Sequence, residues 1–440
     1  MQTRVLIPTG ALGLGFSQEA LARGVGMAPD IICVDGGSTD SGPYYLGTAT
    51  SKYSRAVCRA EWRALMLARA ELGVPLVIGS CGTCGADAMV DWMMQITTEL
   101  AMELGQQLKV ARLYSDQPLE RVKAARLRPL GGLKPDLRGN IVALAGVEQM
   151  QAALATGADI VLAGRMTDTA VIAAYPLLRG AHAGAAWHGG KIGECGAQCS
   201  TNPTSGVVVI DFDERGFEVQ PMARGARCTP YTVSAHMLYE NADPFILHEP
   251  GGYLDVRGAK YMPLDERRVR VEGAKWVKED YTVKLEGAAL KGYQSIILAL
   301  LRDPYYVKNA RIWLEKMHRV LRPLIDAQIG GDYALEFRLI GLDATLGALE
   351  TGSATPNEAG VLGVVTADTQ AAASEIAKLI NPYLLHFPLS DSEAVPTFAF
   401  PFSPAHTDRG PLYEFTLNHV MPLNDPMQAF RLESGVINAA

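Results

Sequence analysis

The sequence predicts an α/β protein whose N-terminal part is a doubly wound, mostly parallel sheet. Two observations carry this. Runs that are apolar at nearly every position recur at VLIP (5–8), DIICVD (30–35), PLVIG (75–79), LKVARLY (108–114), NIVALAG (140–146) and DIVLAGR (159–165). Strands of that kind belong in a parallel sheet covered on both faces. Longer stretches with helical spacing separate most of them, and alternation of strand and helix signals parallel pairing. Composition agrees, since 44 glycines and only 7% aromatic residues suit many tight strand-to-helix turns. Six such strands fall short of the eight of a closed barrel.

Taken in order, helices are expected at 53–72 and 86–105, with shorter ones at 118–127 and 147–156. Over 171–325 the pattern mixes. VVVIDF (207–212), KYMPL (260–264) and RRVRVEGAKW (267–276) read as strands, and GYQSIILALL (292–301) and 307–328 as helices. Further on, YALEFRLIG (333–341), GVLGVVTA (360–367), a helix at 369–385, FAFPF (398–402) and LYEFTLNHV (412–420) give a β-β-α-β-β order. That order suits a small α+β domain with its helix on an antiparallel sheet. The expected division is 1–325, with a Rossmann-like core over 1–170 and a mixed extension over 171–325, followed by 326–440. The segment after Asn424, Asp425 and Pro426 reads as a loosely held tail.

The 440 residues carry 40 Lys+Arg against 47 Asp+Glu, a net charge of −7. No basic stripe is available to replace phosphate counterions, so a general nucleic-acid binder is excluded. No apolar run is long enough to span a membrane, and MQTRVLIPTG has no signal-peptide pattern. Seven cysteines, an odd number in a long chain, fit a reducing cytoplasm better than a disulfide framework.

In a parallel sheet ligands bind beyond the carboxyl ends of the strands, so the loops there hold the informative residues. After the first strand, Gly10, Gly13 and Gly15 permit a close turn whose amides could face a cofactor or another anion. Their G-x-x-G-x-G order is not the dinucleotide fingerprint, although Asp35 stands about where a ribose-binding acid would. A nicotinamide or flavin is therefore not the expected cofactor. After the second strand, Asp35, Ser38 and Asp40 share a glycine loop. Two carboxylates there can converge on one ligand, bind a divalent cation or serve as a base, and an Asx-type turn is the plain alternative. After the third, Ser80, Cys81, Gly82 and Thr83 precede a helix, a natural cradle for a carboxylate or phosphate, without the G-K-[ST] of a P-loop. Cys81 and Cys84 with Cys195 and Cys199 could form a four-thiolate metal site or a redox dithiol. Small cysteines in glycine loops also simply fill space.

After the sixth strand, Arg165 can fork onto a substrate carboxylate, and Asp168 is either a helix cap or a catalytic acid. The stretch WHGGKIGECG (187–196) packs His188, Lys191, Glu194 and Cys195 among glycines and reads as a loop. His188 or Glu194 would act as acid or base there, and Lys191 as an anion clamp. His236 and Glu240 stand one helical turn apart, a weak metal pair, and Lys284 to Gly287 form a less specific charged group.

The ordered set DGGSTDSGPYYLG, IGSCGTCGAD, LAGRMTDTA, GGKIGECGAQ, LEGAALKGYQ, AFPFSP and GPLYEFTLNHV resembles the acyclic terpene utilisation AtuA-type proteins over nearly the whole chain. The resemblance implies a large N-terminal α/β domain and a small ferredoxin-like C-terminal domain. It also implies a place in the catabolism of terpenes such as citronellol and geraniol, on branched hydroxyglutaryl-CoA intermediates, and in some members a small companion subunit. It brings no assignment of catalytic residues.

The residues together predict a cytoplasmic lyase, first a hydro-lyase acting on a small hydroxy or unsaturated carboxylic acid or its CoA thioester. A base from Asp40, Glu194 or His188 would remove a proton beside a carbonyl, with Asp168 as a further catalytic candidate. Asp35, Ser38, Ser80, Cys81, Gly82, Thr83, Arg165 and Lys191 would hold the substrate and its developing charge. Two alternatives stay open. One is a carbon–carbon lyase of the hydroxymethylglutaryl-CoA type, with a divalent metal on Asp35, Asp40 and His188. The other is a non-catalytic subunit acting with a small partner. A homo-oligomer is expected at this size.

Overall fold

The computed structural model describes residues 2–352, 354–395 and 398–438. The chain forms two compact units, Met1–Ala289 with Phe415–Ala440, and Leu290–Glu414. The division thus falls before the expected boundary at 325/326, and the last stretch of chain returns to the first unit.

Five of the six expected strands make the parallel centre of the first unit: β1 (Thr3–Ile7), β2 (Ile31–Asp35), β3 (Leu76–Gly79), β4 (Leu108–Tyr114) and β5 (Ile160–Ala163). They pair in the order β1-β2-β3-β5-β4. Antiparallel strands extend both edges: β6 (Val208–Phe212), β7 (Gly216–Pro221), β8 (Lys260–Pro263) and β9 (Val269–Glu272) beyond β1, and β10 (Arg431–Ile437) beyond β4. Among the described residues the sheet has ten strands, in the order β8-β9-β7-β6-β1-β2-β3-β5-β4-β10.

The period-two geometry of a strand divides its side chains between two cores. Leu6, Ile32, Val34, Ile78 and Leu162 join Leu21, Trp62, Leu65, Val90, Met93 and Ile96 on one face. Those partners belong to the helices Gln18–Val25, Arg55–Leu72 and Asp87–Leu104. Val5, Ile7, Cys33, Val77 and Val161 join Met150, Ala153, Val171, Ala174 and Trp187 on the other. Those lie on Val147–Ala155, Asp168–Leu178 and Ala183–Gly193. Helices following β1, β2 and β3 therefore cover one face, and the helix following β5 covers the opposite face. Such a reversal opens a crevice at the carboxyl ends of the strands, which is where doubly wound sheets bind ligands.

Several expectations are corrected. NIVALAG does form a strand, Asn140–Ala143, but it stays out of the large sheet and pairs antiparallel with 285–288. The loosely held tail is instead β10, fully registered along β4 from Arg431↔Tyr114 to Ile437↔Leu108, while Ala439 and Ala440 lie outside the described residues. RRVRVEGAKW is two strands, Val269–Glu272 and Lys275–Lys278, broken at Gly273, whose φ of +91° only glycine adopts readily.

WHGGKIGECG is no loop. Residues 183–193 form a helix that is buried along almost its whole length. Its glycines make room for close packing: a Cβ on Gly190 would lie 2.6 Å from the Thr169 carbonyl oxygen, and one on Gly189 2.3 Å from the Phe212 ring. Overpacking costs roughly 1–3 kcal/mol, and alanine returns up to about 1 kcal/mol of helix propensity. Gly190→Ala is therefore expected to lower stability by about 1–2 kcal/mol in chemical denaturation, because the backbone oxygen it meets cannot rotate away. A stabilised variant would show that the helix has slack.

The second unit has a β-α-β-β-α-β order, the split pattern of ferredoxin-like folds. Residues 293–301 close the Thr282–Leu301 strand and pair antiparallel with Ala359–Ala367, which pairs in turn with Tyr333–Ile340. His406–Pro422 completes the spatial order 2-3-1-4. The helices Ala310–Gln328 and Gln370–His386 bury Trp313, Met317, Leu321, Ile376 and Ile380 against Ile297, Val361 and Val365. GYQSIILALL is thus strand and not helix. A short apolar run has no periodicity of its own to separate the two, and strand pairing decided it.

Candidate functional site

The carboxyl ends of β1 and β2, the start of the Asp168–Leu178 helix and the segment from Cys195 to Gly206 line a cleft of about 870 Å3 within the first unit. Thr9, Gly10, Ala11 and Gly15 form one rim, Ser38, Asp40, Ser41, Lys52 and Tyr53 another, and Tyr239 and Glu240 a third. Its charge is acidic. Asp35, Asp40, Asp168 and Glu240 line it, and Lys52 is the one cationic side chain among its described lining residues.

Asp35 ends β2 and is 5% exposed. Its Oδ2 accepts from the Gly37 amide at 2.9 Å, whereas Oδ1 is buried without a hydrogen-bond partner. Burial, then the charge of Asp168, pushes the Asp35 carboxyl well above the usual range, against the pull of Arg165. Asp168 is not the helix cap, because Thr167 holds that position and accepts from the Ala170 amide. The Asp168 side chain remains 26% exposed. Burial raises its carboxyl to about 6, Arg165 opposing and Asp40 adding to the rise. Both carboxyls are thus raised, Asp35 by its deeper burial and by the charge of Asp168, and two neighbouring acids in unequal surroundings are the kind of pair that divides acid and base roles.

Arg165 does not line the cleft and lies buried beside Asp168. Its Nε donates to Glu286 Oε2 at 2.9 Å and its Nη1 to Ser80 Oγ at 3.0 Å, and Asp168 Oδ1 lies 3.7 Å away. Glu286 also accepts from Thr39 Oγ1 and pairs with Lys284. Burial alone would raise the Glu286 carboxyl, but Arg165 and Lys284 hold it down to about 2. The antiparallel pairing of 285–288 with Asn140–Ala143 places Glu286 there.

The expected fork from Arg165 to a substrate is therefore closed internally. Lys191 is likewise engaged, donating to Glu194 Oε1 and to the Tyr239 carbonyl at 2.8 Å, and Thr169 Oγ1 donates to Glu194 Oε2. His188 lies away from the cleft, buried against Phe217 and Tyr261, with burial lowering it to about 3. Among the described residues, His188, Asp35 and Asp40 form no group with ligand atoms within 4.8 Å of one another. Ser80, Cys81, Gly82 and Thr83 do not line the cleft. The Ser80 and Cys81 amides donate to the Gly164 and Ala163 carbonyls, so the expected anion cradle has no free donors at those two positions. Ser38 and Asp40 do reach the rim, and Ser38 Oγ donates to Asp40 Oδ2 at 3.0 Å. Gly10 and Gly15 line it, while Gly13 packs on Tyr53.

The four-thiolate grouping does not form. All seven cysteines are free, and among the described residues one group offers three closely spaced metal ligands: Glu194, Cys195 and His236. His236 ends its helix at Pro230–His236, so it does not share a helical face with Glu240. Lys52 and Tyr53 are not legible as site residues in the sequence. They follow no strand and carry no motif, and only the folding back of their segments brings them to the rim.

Glu249 stands beside Thr167 and Thr169, and burial of its carboxyl raises it to about 8. A carboxyl raised in the folded chain stabilises that state when protonated, and the contribution is lost as pH climbs through the folded value. Between about pH 6.5 and about pH 8 the buried histidines stay neutral. Unfolding free energy is expected to fall by roughly 1–2 kcal/mol across that window from Glu249. Glu249→Gln should flatten the slope, and an unchanged slope would assign it elsewhere.

Among the described residues no helix is long and apolar enough to cross a membrane. A family model described as acyclic terpene utilisation family protein AtuA matches residues 64–397. No curated protein and no solved structure gives a match.

Proposed function

This chain belongs to the acyclic terpene utilisation family AtuA, and we propose that it serves such catabolism as a hydro-lyase acting on a small hydroxyacyl or enoyl CoA thioester. The observation behind this is the pair of carboxyls that line one cleft in unequal surroundings, Asp35 almost fully buried with Oδ1 unpartnered and raised by that burial, Asp168 more exposed at the start of its helix. Asp168 takes a proton from the carbon beside the thioester carbonyl. Asp35 gives its proton to the hydroxyl on the next carbon. The C–O bond breaks with its electron pair on oxygen, water leaves, and the carbon–carbon bond becomes double. The proton then returns from Asp168 to Asp35, and the reverse sequence adds water.

Cleft charge favours a thioester over a free acid. Arg165 and Lys191 are tied to Glu286 and Glu194, leaving Lys52 against Asp40, Asp168 and Glu240, with Asp35 as the proton donor. An uncharged thioester carbonyl meets less repulsion there than a carboxylate. A cytoplasmic homo-oligomer, with or without a small companion subunit, is part of the same proposal, and native mass spectrometry reads the assembly directly.

The test offers the purified chain matched 3-hydroxyacyl thioesters and free acids in deuterium oxide. Enoyl product and deuterium at the α-carbon are expected with thioesters. Failure of both to appear with every thioester offered, from a folded chain, would overturn the hydro-lyase reading.

A further inference from the structure

At the edge of the cleft stands a group that the acid–base chemistry does not use. Cys195, His236 and Glu194 each offer a ligand atom, all within 4.8 Å of one another. Cys195 lines the cleft and is the one cysteine of the seven that is not buried. His236 is 5% exposed, its Nε2 is buried without a hydrogen-bond partner, and its ring stacks on Tyr239 at 5.6 Å. A buried polar nitrogen left unpaired calls for an explanation, and an ion that supplies its missing partner is one.

We propose that Cys195, His236 and Glu194 form a binding site for a borderline-soft divalent ion of the zinc class, with one coordination position open to the cleft. The donor set selects the ion. Thiolate and imidazole suit zinc, whereas magnesium and calcium take oxygen ligands. Tetrahedral zinc, with bonds of about 2.0–2.3 Å, needs its donors about 3.5 Å apart, so the group closes by side-chain rotation of about 1 Å. Lys191 and Thr169 occupy one lone pair on each Glu194 oxygen, and a carboxylate oxygen has a second. Charge closes as well: the ion and Lys191 bring three positive charges, against Glu194, the Cys195 thiolate and nearby Asp168. The site is independent of the hydro-lyase reading, since binding needs no turnover.

Cobalt titrated into the metal-free full-length chain tests it. One Co2+ per chain is expected, with a thiolate-to-cobalt charge-transfer band and tetrahedral d–d bands that zinc displaces. Cys195→Ser should abolish the charge-transfer band and His236→Gln should weaken binding. Absence of the band in the wild-type chain, or its survival in Cys195→Ser, would overturn the site. A second measurement needs no variant: alkylation of Cys195, followed by peptide mass spectrometry, should slow about tenfold when zinc occupies the thiolate. An unchanged rate at saturating zinc would count equally against it.

Discussion

Replacing Asp168 by Asn should lower kcat on the thioester substrate by about a hundredfold to ten-thousandfold, the usual range for removing a general base. The amide keeps the volume of the side chain at the start of its helix but cannot take a proton. The wild-type kcat/KM should rise through about pH 6 as Asp168 ionises, because the base works only as the carboxylate. That acid limb should vanish from the residual activity of Asp168→Asn and survive in Asp40→Asn, whose side chain sits on the rim. Asp35→Asn should also be slow, since an amide replaces the proton that goes to the leaving hydroxyl. If Asp168→Asn stays within a few-fold of wild type with the limb in place, the base is another residue.

Glu286→Ala carries the largest expected effect on stability. Arg165 and Glu286 are both buried, with side-chain exposures of 6% and 4%. Removing the carboxylate strands the guanidinium, and breaking a buried pair from one side costs about 3–5 kcal/mol. Chemical denaturation reads this directly, and an unchanged midpoint would mean that Ser80 and Asp168 already satisfy Arg165. Any folded Glu286→Ala protein offers a second readout. Arg165 then has Asp168 as its nearest carboxylate, so the acid limb should move to lower pH. Glu286→Gln, which keeps the shape and the hydrogen bond, should fall between the two.

Much of the fold was legible because it is repeated locally. VLIP, DIICVD, PLVIG and DIVLAGR are buried on both faces, so their apolar character needs no partner to be read. The misreadings share one cause. GYQSIILALL is a strand only through its pairing with Ala359–Ala367, and reading it as a helix puts the division later than the one at Ala289/Leu290. The glycines of WHGGKIGECG signalled turns, whereas they mark a helix pressed onto Thr169 and Phe212. β10 is not legible in the sequence because an edge strand carries little hydrophobic signal until β4 is beside it.

For the site, the sequence by itself determined where to look. Apolar parallel strands put the binding crevice at their carboxyl ends, and Asp35, Asp40 and Asp168 follow those strands. Only the tertiary structure decided which groups are free to act. Asp35 and Asp168 face the cleft, Arg165 and Lys191 are bound to carboxylates, and His188 is in the core. The physical reason is that an ionisable side chain has no fixed role until its neighbours and its burial set its charge. Those neighbours, such as Glu286 beside Arg165 and His236 beside Cys195, come from far along the chain.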